Sequence, residues 1–494
     1  MSGVEVAPQD LEVLSVAPGF GIGTVPFAGH EEIYQLGLAR AAAAAGLPWT
    51  ILAAESATFT DGPVVTCLDR ASPDAIATSL DQHLRRRAAA GDRTTGVVVY
   101  EGSTALASAL APVAARHPHV RFLINLFRAE RGLDVPLVRR RRHGTQRELT
   151  DHAPDALLTR LAPLAAITWP GNVRITAETD AKALLARSVG IPVVDAWRLH
   201  SAMAEGDPTE EPLAPQRELG GPIRVLLAAR SSQLHPPLVD DVIEVMARVA
   251  RVDGGRTIEW AMAGRFDDHP RVDDALQRLQ RAGVRLDRVD RPLEPDAYAR
   301  MFLDVDAVWM PTVWPYRVQS SGKALDALVL ARPIIAPAGT APALAMQRWV
   351  PGAPAYGSST EAAQTFLRLP SLLGLLRSEL DRQAATIRAT HHPSVTVEWL
   401  CELLQTAPAS LSVTRFVPSA VCLDEQTPAG GGAVPVLAVA SRRVDPVPSP
   451  ASTSRRSRSI ARDANVRLRG AQDPVGAGLS GPRPDRRRIR SAPW

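Results

Sequence analysis

The sequence predicts an α/β protein of two Rossmann-like domains facing each other across a cleft, with a disordered tail behind them. Three observations predict it. Short runs rich in Val, Ile and Leu alternate with helix-period segments, the pattern of βαβ units on a parallel sheet. The alternation breaks at residues 201–222, a polar, acidic, Pro- and Gly-rich stretch that reads as a linker, and then restarts. The chain's 494 residues, 45% hydrophobic and 22% charged, match a globular composition able to bury a large core.

The first unit opens with an apolar run at 11–16 (LEVLSV), a Pro-Gly loop (APGFGIGTVPFAG) and a helix over 30–45, with Ile33, Leu36, Leu38 and Ala41 at helical spacing. Gly46 and Pro48 end that helix. Strands follow at 49–54, 96–100, 120–126, 165–168 and 191–194, with helices up to Arg116 and over 178–188. After the linker a strand at 223–229 precedes an amphipathic helix at 238–251, where Val239, Val242, Ile243, Met246 and Val249 share a face. Strands at 258–263, 284–289, 306–310 and 333–336 then alternate with helices at 271–282, 295–303 and 322–331, and further helix runs to about 407. The domains expected are thus 1–200, the linker 201–222, 223–410, and a tail from 411 to 494 without sustained apolar period.

Charge divides unevenly. The net charge of the whole chain is +4, but the tail carries 14 Arg against 6 acids, leaving residues 1–410 at −4. All but two of the 56 basic residues are arginine, the exceptions being Lys182 and Lys323, so arginine abundance is weak grounds for nucleic-acid binding. No aromatic residue falls within 441–490, which holds 13 of the tail's 14 arginines, and this disfavours base stacking. The tail and the run Arg139–His143 read as solvated charge, or as a peripheral contact to an anionic membrane or other anionic partner. Three cysteines, Cys67, Cys401 and Cys422, lack CxxC spacing, so neither a disulfide framework nor a zinc site is expected. No run is long and apolar enough to span a bilayer and MSGVEVAPQD lacks signal-peptide features, so a cytoplasmic location is expected.

The glycine loop fails the dinucleotide fingerprint, because the third glycine would fall at Thr24 after Gly19 and Gly21, or at Pro26 after Gly21 and Gly23. NAD is therefore disfavoured. His30 and Glu31 start the following helix, and His30 is either a ligand-orienting group or a helix-capping surface residue. Glu101 ends a strand, where ligands of α/β sheets bind, and reads equally as a polar turn. Asn125 reads as a satisfied core amide.

The order IRVLLAAR (223–230), AMAGR (261–265), DAVWMPT (306–312) and SSGKALDALVLARPIIAPAGTAP (320–342) resembles the C-terminal nucleotide-sugar domain of GT-B glycosyltransferases. The likeness is especially to their large retaining family 4, which includes sucrose-type and mannosyl transferases, and it implies that residues 1–200 are the acceptor-side domain. The resemblance implies metal-independent transfer of a sugar from a nucleotide diphosphate sugar to a glycan or small-molecule acceptor, with no cofactor beyond that donor. Arg230 matches the family's diphosphate arginine and Lys323 would stabilise the leaving group beside it, with His30 as the third catalytic candidate. Ser320, Ser321 and Gly322 precede the helix at 322–331, so their amides would face a phosphate. Asp326 would hold the ribose hydroxyls, and Gly21 and Gly23 would let main chain approach sugar or phosphate.

Two departures matter. Where the family has a lysine five residues past the arginine this chain has His235, a weaker diphosphate clamp at neutral pH. Of the paired glutamates eight residues apart, the first falls on Val318 and only the second, Asp326, keeps a carboxylate. These losses leave room for a nucleotide- or glycan-binding protein with weakened or lost catalysis. A nucleotide-sugar epimerase is the third reading.

Overall fold

The computed structural model describes residues 11–406, apart from 19–29, 55–63, 92–93, 101, 128–152, 205–220, 229–235, 255–256, 264–269, 290–294 and 313–317. Seven parallel strands make the first sheet: β1 (Leu11–Ala17), β2 (Trp49–Ala53), β3 (Val64–Thr66), β4 (Thr94–Val99), β5 (Arg121–Leu126), β6 (Val173–Ala177) and β7 (Val193–Ala196). Their order is β3-β2-β1-β4-β5-β6-β7. Helices α1 (His30–Ala44), α2 (Pro73–Ala89), α3 (Thr104–Arg116), α4 (Ala153–Ala165) and α5 (Asp180–Ser188) connect them.

The second sheet runs β10-β9-β8-β11-β12-β13, also parallel, from β8 (Ile223–Leu227), β9 (Ile258–Ala263), β10 (Leu286–Val289), β11 (Ala307–Trp309), β12 (Ile334–Pro337) and β13 (Ala355–Tyr356). Its helices are α6 (Pro236–Asp253), α7 (Pro270–Arg281), α8 (Pro295–Leu303), α9 (Gly322–Val329), α10 (Ala341–Trp349) and the long α11 (Ser359–Thr390). Strand order reverses between β1 and β4 in one sheet and between β8 and β11 in the other. Such switch points open a crevice at the carboxyl ends of the strands.

The pleat explains the two apolar layers of the first lobe. Leu14, Val16, Val97, Val99, Phe122 and Ile124 face α2 to α5, while Val13, Val98 and Leu123 on alternate positions face α1. That second layer is closed by the last described helix, α12 (Pro393–Gln405), which supplies Val397, Trp399, Leu400 and Leu404.

One expected strand is displaced. Ala165 ends α4 and residues 166–168 turn away from it instead of forming a strand; the strand is β6, after Trp169-Pro170-Gly171-Asn172. The Asn172 amide donates to the carbonyls of Ala114, His117 and Val120 at 3.1, 3.0 and 2.7 Å, pinning the turn so that pairing with β5 begins at Val173. Helix α2, unforeseen in the sequence, is capped by Ser72 with Pro73 at its first turn, and it buries Ile76, Ala77, Leu80, Asp81 and Leu84 from an otherwise largely polar sequence. The glycine loop, the Arg139–His143 run, Glu101 and the tail from 411 lie outside the described residues.

A buried ion pair ties the second sheet to α11. Arg377 donates to Asp306 Oδ1, the Arg224 amide donates to Asp306 Oδ2 at 2.7 Å, and both charged side chains are about 95% buried. Removing one partner strands the other charge in the core. Asp306→Ala is therefore expected to cost about 3–5 kcal/mol, measured as a lowered denaturant midpoint, with Asp306→Asn costing less.

Candidate active site

The turn ahead of α9 is where the two lobes meet. Ser321 is the helix cap, extended at φ −138° and ψ 116°, and its hydroxyl accepts from the Ala324 amide at 3.3 Å. The residue before it is claimed by the first lobe: the Ser320 amide donates to Glu178 Oε1 at 3.0 Å, and the Ser320 hydroxyl donates to the same oxygen. Glu178 follows β6 directly. Its other oxygen, Oε2, accepts from Lys182 Nζ at 2.9 Å, and that ammonium also donates to the Phe127 carbonyl at 2.9 Å. Both side chains are fully buried. Thr179 caps α5 through the Lys182 amide and turns its hydroxyl to the Val318 carbonyl at 2.7 Å. The Val318 side chain, in turn, is packed in the first lobe's apolar core.

Asp326 lies one turn along α9 and is also buried. Ser201 donates to its Oδ1 at 2.6 Å and the Tyr298 hydroxyl to its Oδ2 at 3.0 Å. Burial pushes this carboxyl up to about 6, against the lowering effect of the Ser201 and Tyr298 hydrogen bonds and the Lys323 charge. Tyr34 on α1 is raised well above its ordinary range, mainly by burial and then by the charges of Asp326 and Glu178, so one phenol senses a carboxylate from each lobe.

Ser201 belongs to the joint where the chain passes between lobes. Its amide donates to the His391 carbonyl at 3.0 Å, and His391 Nδ1 donates to the Leu199 carbonyl at 3.0 Å. His200 beside it is buried, donates from Nε2 to the Tyr34 carbonyl at 3.1 Å, and is lowered to about 4, chiefly by burial. Tyr34, Tyr100, Phe127, Trp197 and Trp399 form a chain of ring contacts through this region, with centroids 5.2–5.6 Å apart; Tyr34 stacks on Tyr100, and Trp197 meets Tyr100 and Trp399 edge-on.

Lys323, Asp326, Ser320, Ser321 and Gly322 thus come together on and before α9. Arg230, His235, Gly21 and Gly23 lie outside the described residues; His30 is the first residue of α1, but its side chain is outside them too. Asn125 is only half satisfied: Nδ2 donates to the Tyr100 carbonyl at 3.0 Å, while buried Oδ1 has no partner among the described residues. Sequence reasoning missed Glu178, Lys182, Ser201, Tyr298 and Tyr34. The scarcity of lysine was the available signal for Lys182. A shallow depression of about 630 Å³ lies elsewhere, at the amino ends of β8 to β10, where Arg224–Asp287 and Arg285–Glu259 pairs neutralise one another. Among the described residues no cluster of His, Cys, Asp and Glu could hold a metal ion, and no helix is long and apolar enough to cross a membrane.

No protein-family model and no curated protein matches the sequence. Solved structures do match. A glycosyltransferase from Rickettsia africae aligns at 12% identity over 80% of this chain and 99% of its own, with a TM-score of 0.51. Anabaena HepE in complex with UDP-glucose gives the same identity, coverage and TM-score. A UDP-forming α,α-trehalose-phosphate synthase from Burkholderia vietnamiensis aligns at 14% over 83% and 99%, with a TM-score of 0.50. The chain has the GT-B fold. In this GT-B chain the lobes are joined by protein carboxylates at α9, and the charge state of those groups sets a pH dependence.

Folding raises Asp326 from an ordinary value near 3.8 to about 6, so its stabilising contribution is full below pH 3.8 and is lost as pH rises through 6. Folding lowers His200 from 6.5 to about 4, so its contribution is present above pH 6.5 and is lost as pH falls through 4. His391, also lowered by burial, adds to the histidine side. Each of the two larger shifts is worth about 3 kcal/mol and they oppose between pH 4 and 6. Asp326→Asn is expected to make thermal stability climb steeply with pH over that window, and His200→Gln to make it fall. Melting curves at stepped pH check both, and unchanged slopes would remove these groups from the balance.

Proposed function

We propose that this chain transfers a glycosyl group from a nucleotide diphosphate sugar to a glycan or small-molecule acceptor, with retention and without a metal. The observation that carries the reading is the placement of α9: its capped N-terminus, with Lys323 in the first turn and buried Asp326 in the second, follows β11 at the β8/β11 switch point of a GT-B fold. Arg230 lies three residues past β8 in sequence, and in this reading it would act from the other side of that crevice. Negative charge developing on a departing diphosphate would be met by the helix terminus, Lys323 and Arg230, a preorganised arrangement that lowers the barrier. Asp326, held by Ser201 and Tyr298, would receive the ribose hydroxyls. His235, Gly21 and Gly23 would line the donor site, and His30 would orient a sugar. Two of the similar proteins are described with UDP-glucose or as UDP-forming, which makes uridine donors the first to try.

A binding protein without turnover is the second reading, favoured by one observation: the Ser320 amide is already occupied by Glu178. Calorimetry with UDP, GDP and ADP, together with a donor-hydrolysis assay, separates the two, since binding without hydrolysis or transfer supports the second. If the first holds, Lys323→Ala and Arg230→Ala each lower turnover by about 10²-fold. Full turnover in both variants would end the leaving-group assignment.

A further inference from the structure

The only two lysines of the chain converge on one turn. Lys182 reaches it through Glu178, which accepts both donors of Ser320, and Lys323 lies three residues past that serine. In a sequence that otherwise uses arginine throughout, the compact ammonium is what a fully enclosed site beside Glu178 and the Phe127 carbonyl accommodates. The segment 318–320 is fastened to the first lobe by three hydrogen bonds and by the Val318 side chain, directly ahead of the Ser321 cap. The carboxylate that the resemblance expects at position 318 is thus absent from that residue, yet one arrives two residues along from the opposite lobe.

We propose that Glu178, oriented by Lys182, is a positioning residue that sets the Ser320–Gly322 turn and, through it, the grip of α9 on the donor diphosphate. The proposal rests on the donor reading above. A lone carboxylate at the head of α9 would repel a diphosphate; Lys182 cancels that charge, so the turn is held without the repulsion. Fixing the turn before the ligand arrives also removes an ordering cost from binding. Glu178 acts through Ser320 and has no contact with the donor in this scheme.

The test is calorimetry on the full-length chain with UDP and UMP, or with GDP/GMP or ADP/AMP if those bases bind instead. The double variant Glu178→Leu/Lys182→Met removes both buried charges at once, so neither is left unpaired. It is expected to weaken the diphosphate about tenfold, about 1.4 kcal/mol, while changing the monophosphate less than twofold. Ser320→Ala, which keeps the amide bond to Glu178, is expected to act in the same direction by about threefold, and it decides the matter alone if the double variant fails to fold. Equal loss for both nucleotides, or no loss, in the folded variants would overturn the proposal while leaving the donor reading intact. Wild-type protein that binds none of the diphosphates overturns both.

Discussion

A carboxylate of one lobe seated on the main chain of the other is the contact on which the site depends. Glu178 and Lys182 are buried to the point where neither charge can be solvated, and such a pair is tolerated only when hydrogen bonds satisfy what remains. Those bonds come from Ser320 and from the Phe127 carbonyl, so the pair is complete only while α9 and the first lobe are together. Separation of the lobes at this point would leave the Ser320 amide and a buried carboxylate without each other. The joint is therefore polar and directional, where an apolar contact would slide.

The second bridge works differently. Asp326 is held by a hydroxyl from the joint and a phenol from α8, both neutral donors. Desolvation then outweighs the attractive contacts, and the acid stays easy to protonate. Glu178 and Asp326 both raise Tyr34, which links the two bridges electrostatically through α1. What differs between the bridges is whether a cation was brought into the interior to accompany the anion.

Much of the architecture was legible because strands buried on both faces read as continuous apolar runs. Residues 11–17, 121–126, 223–227 and 334–337 are of that kind, and the helix after Ser321 announces itself through a serine cap and a buried face at Ala324, Leu325 and Leu328. The strand at 173–177 was hidden because Arg174 and Thr176 interrupt its apolar pattern and because the neighbouring Ala165-Ala-Ile competed for the role. That displacement had a functional cost: with the strand placed early, Glu178 fell inside a helix, whereas it is the first residue beyond a strand's carboxyl end. The α9 candidates could be found from local spelling. Glu178, Ser201 and Tyr298 could not, since their partners are 142, 125 and 28 residues away and only the folded chain brings them together.

Helix α12 is the last described element, yet it completes the first sheet. Trp399 meets Trp197, Arg121 donates to the Leu404 carbonyl, and Leu404 lies so close to β4 that a Cβ on Gly96 would come within 2.7 Å of it. A ribosome therefore finishes the second lobe before the first can be sealed. Throughout that interval Leu11, Val98 and Leu123 lack the cover that α12 gives them, and any nascent chain halted ahead of Pro393 keeps that apolar face open.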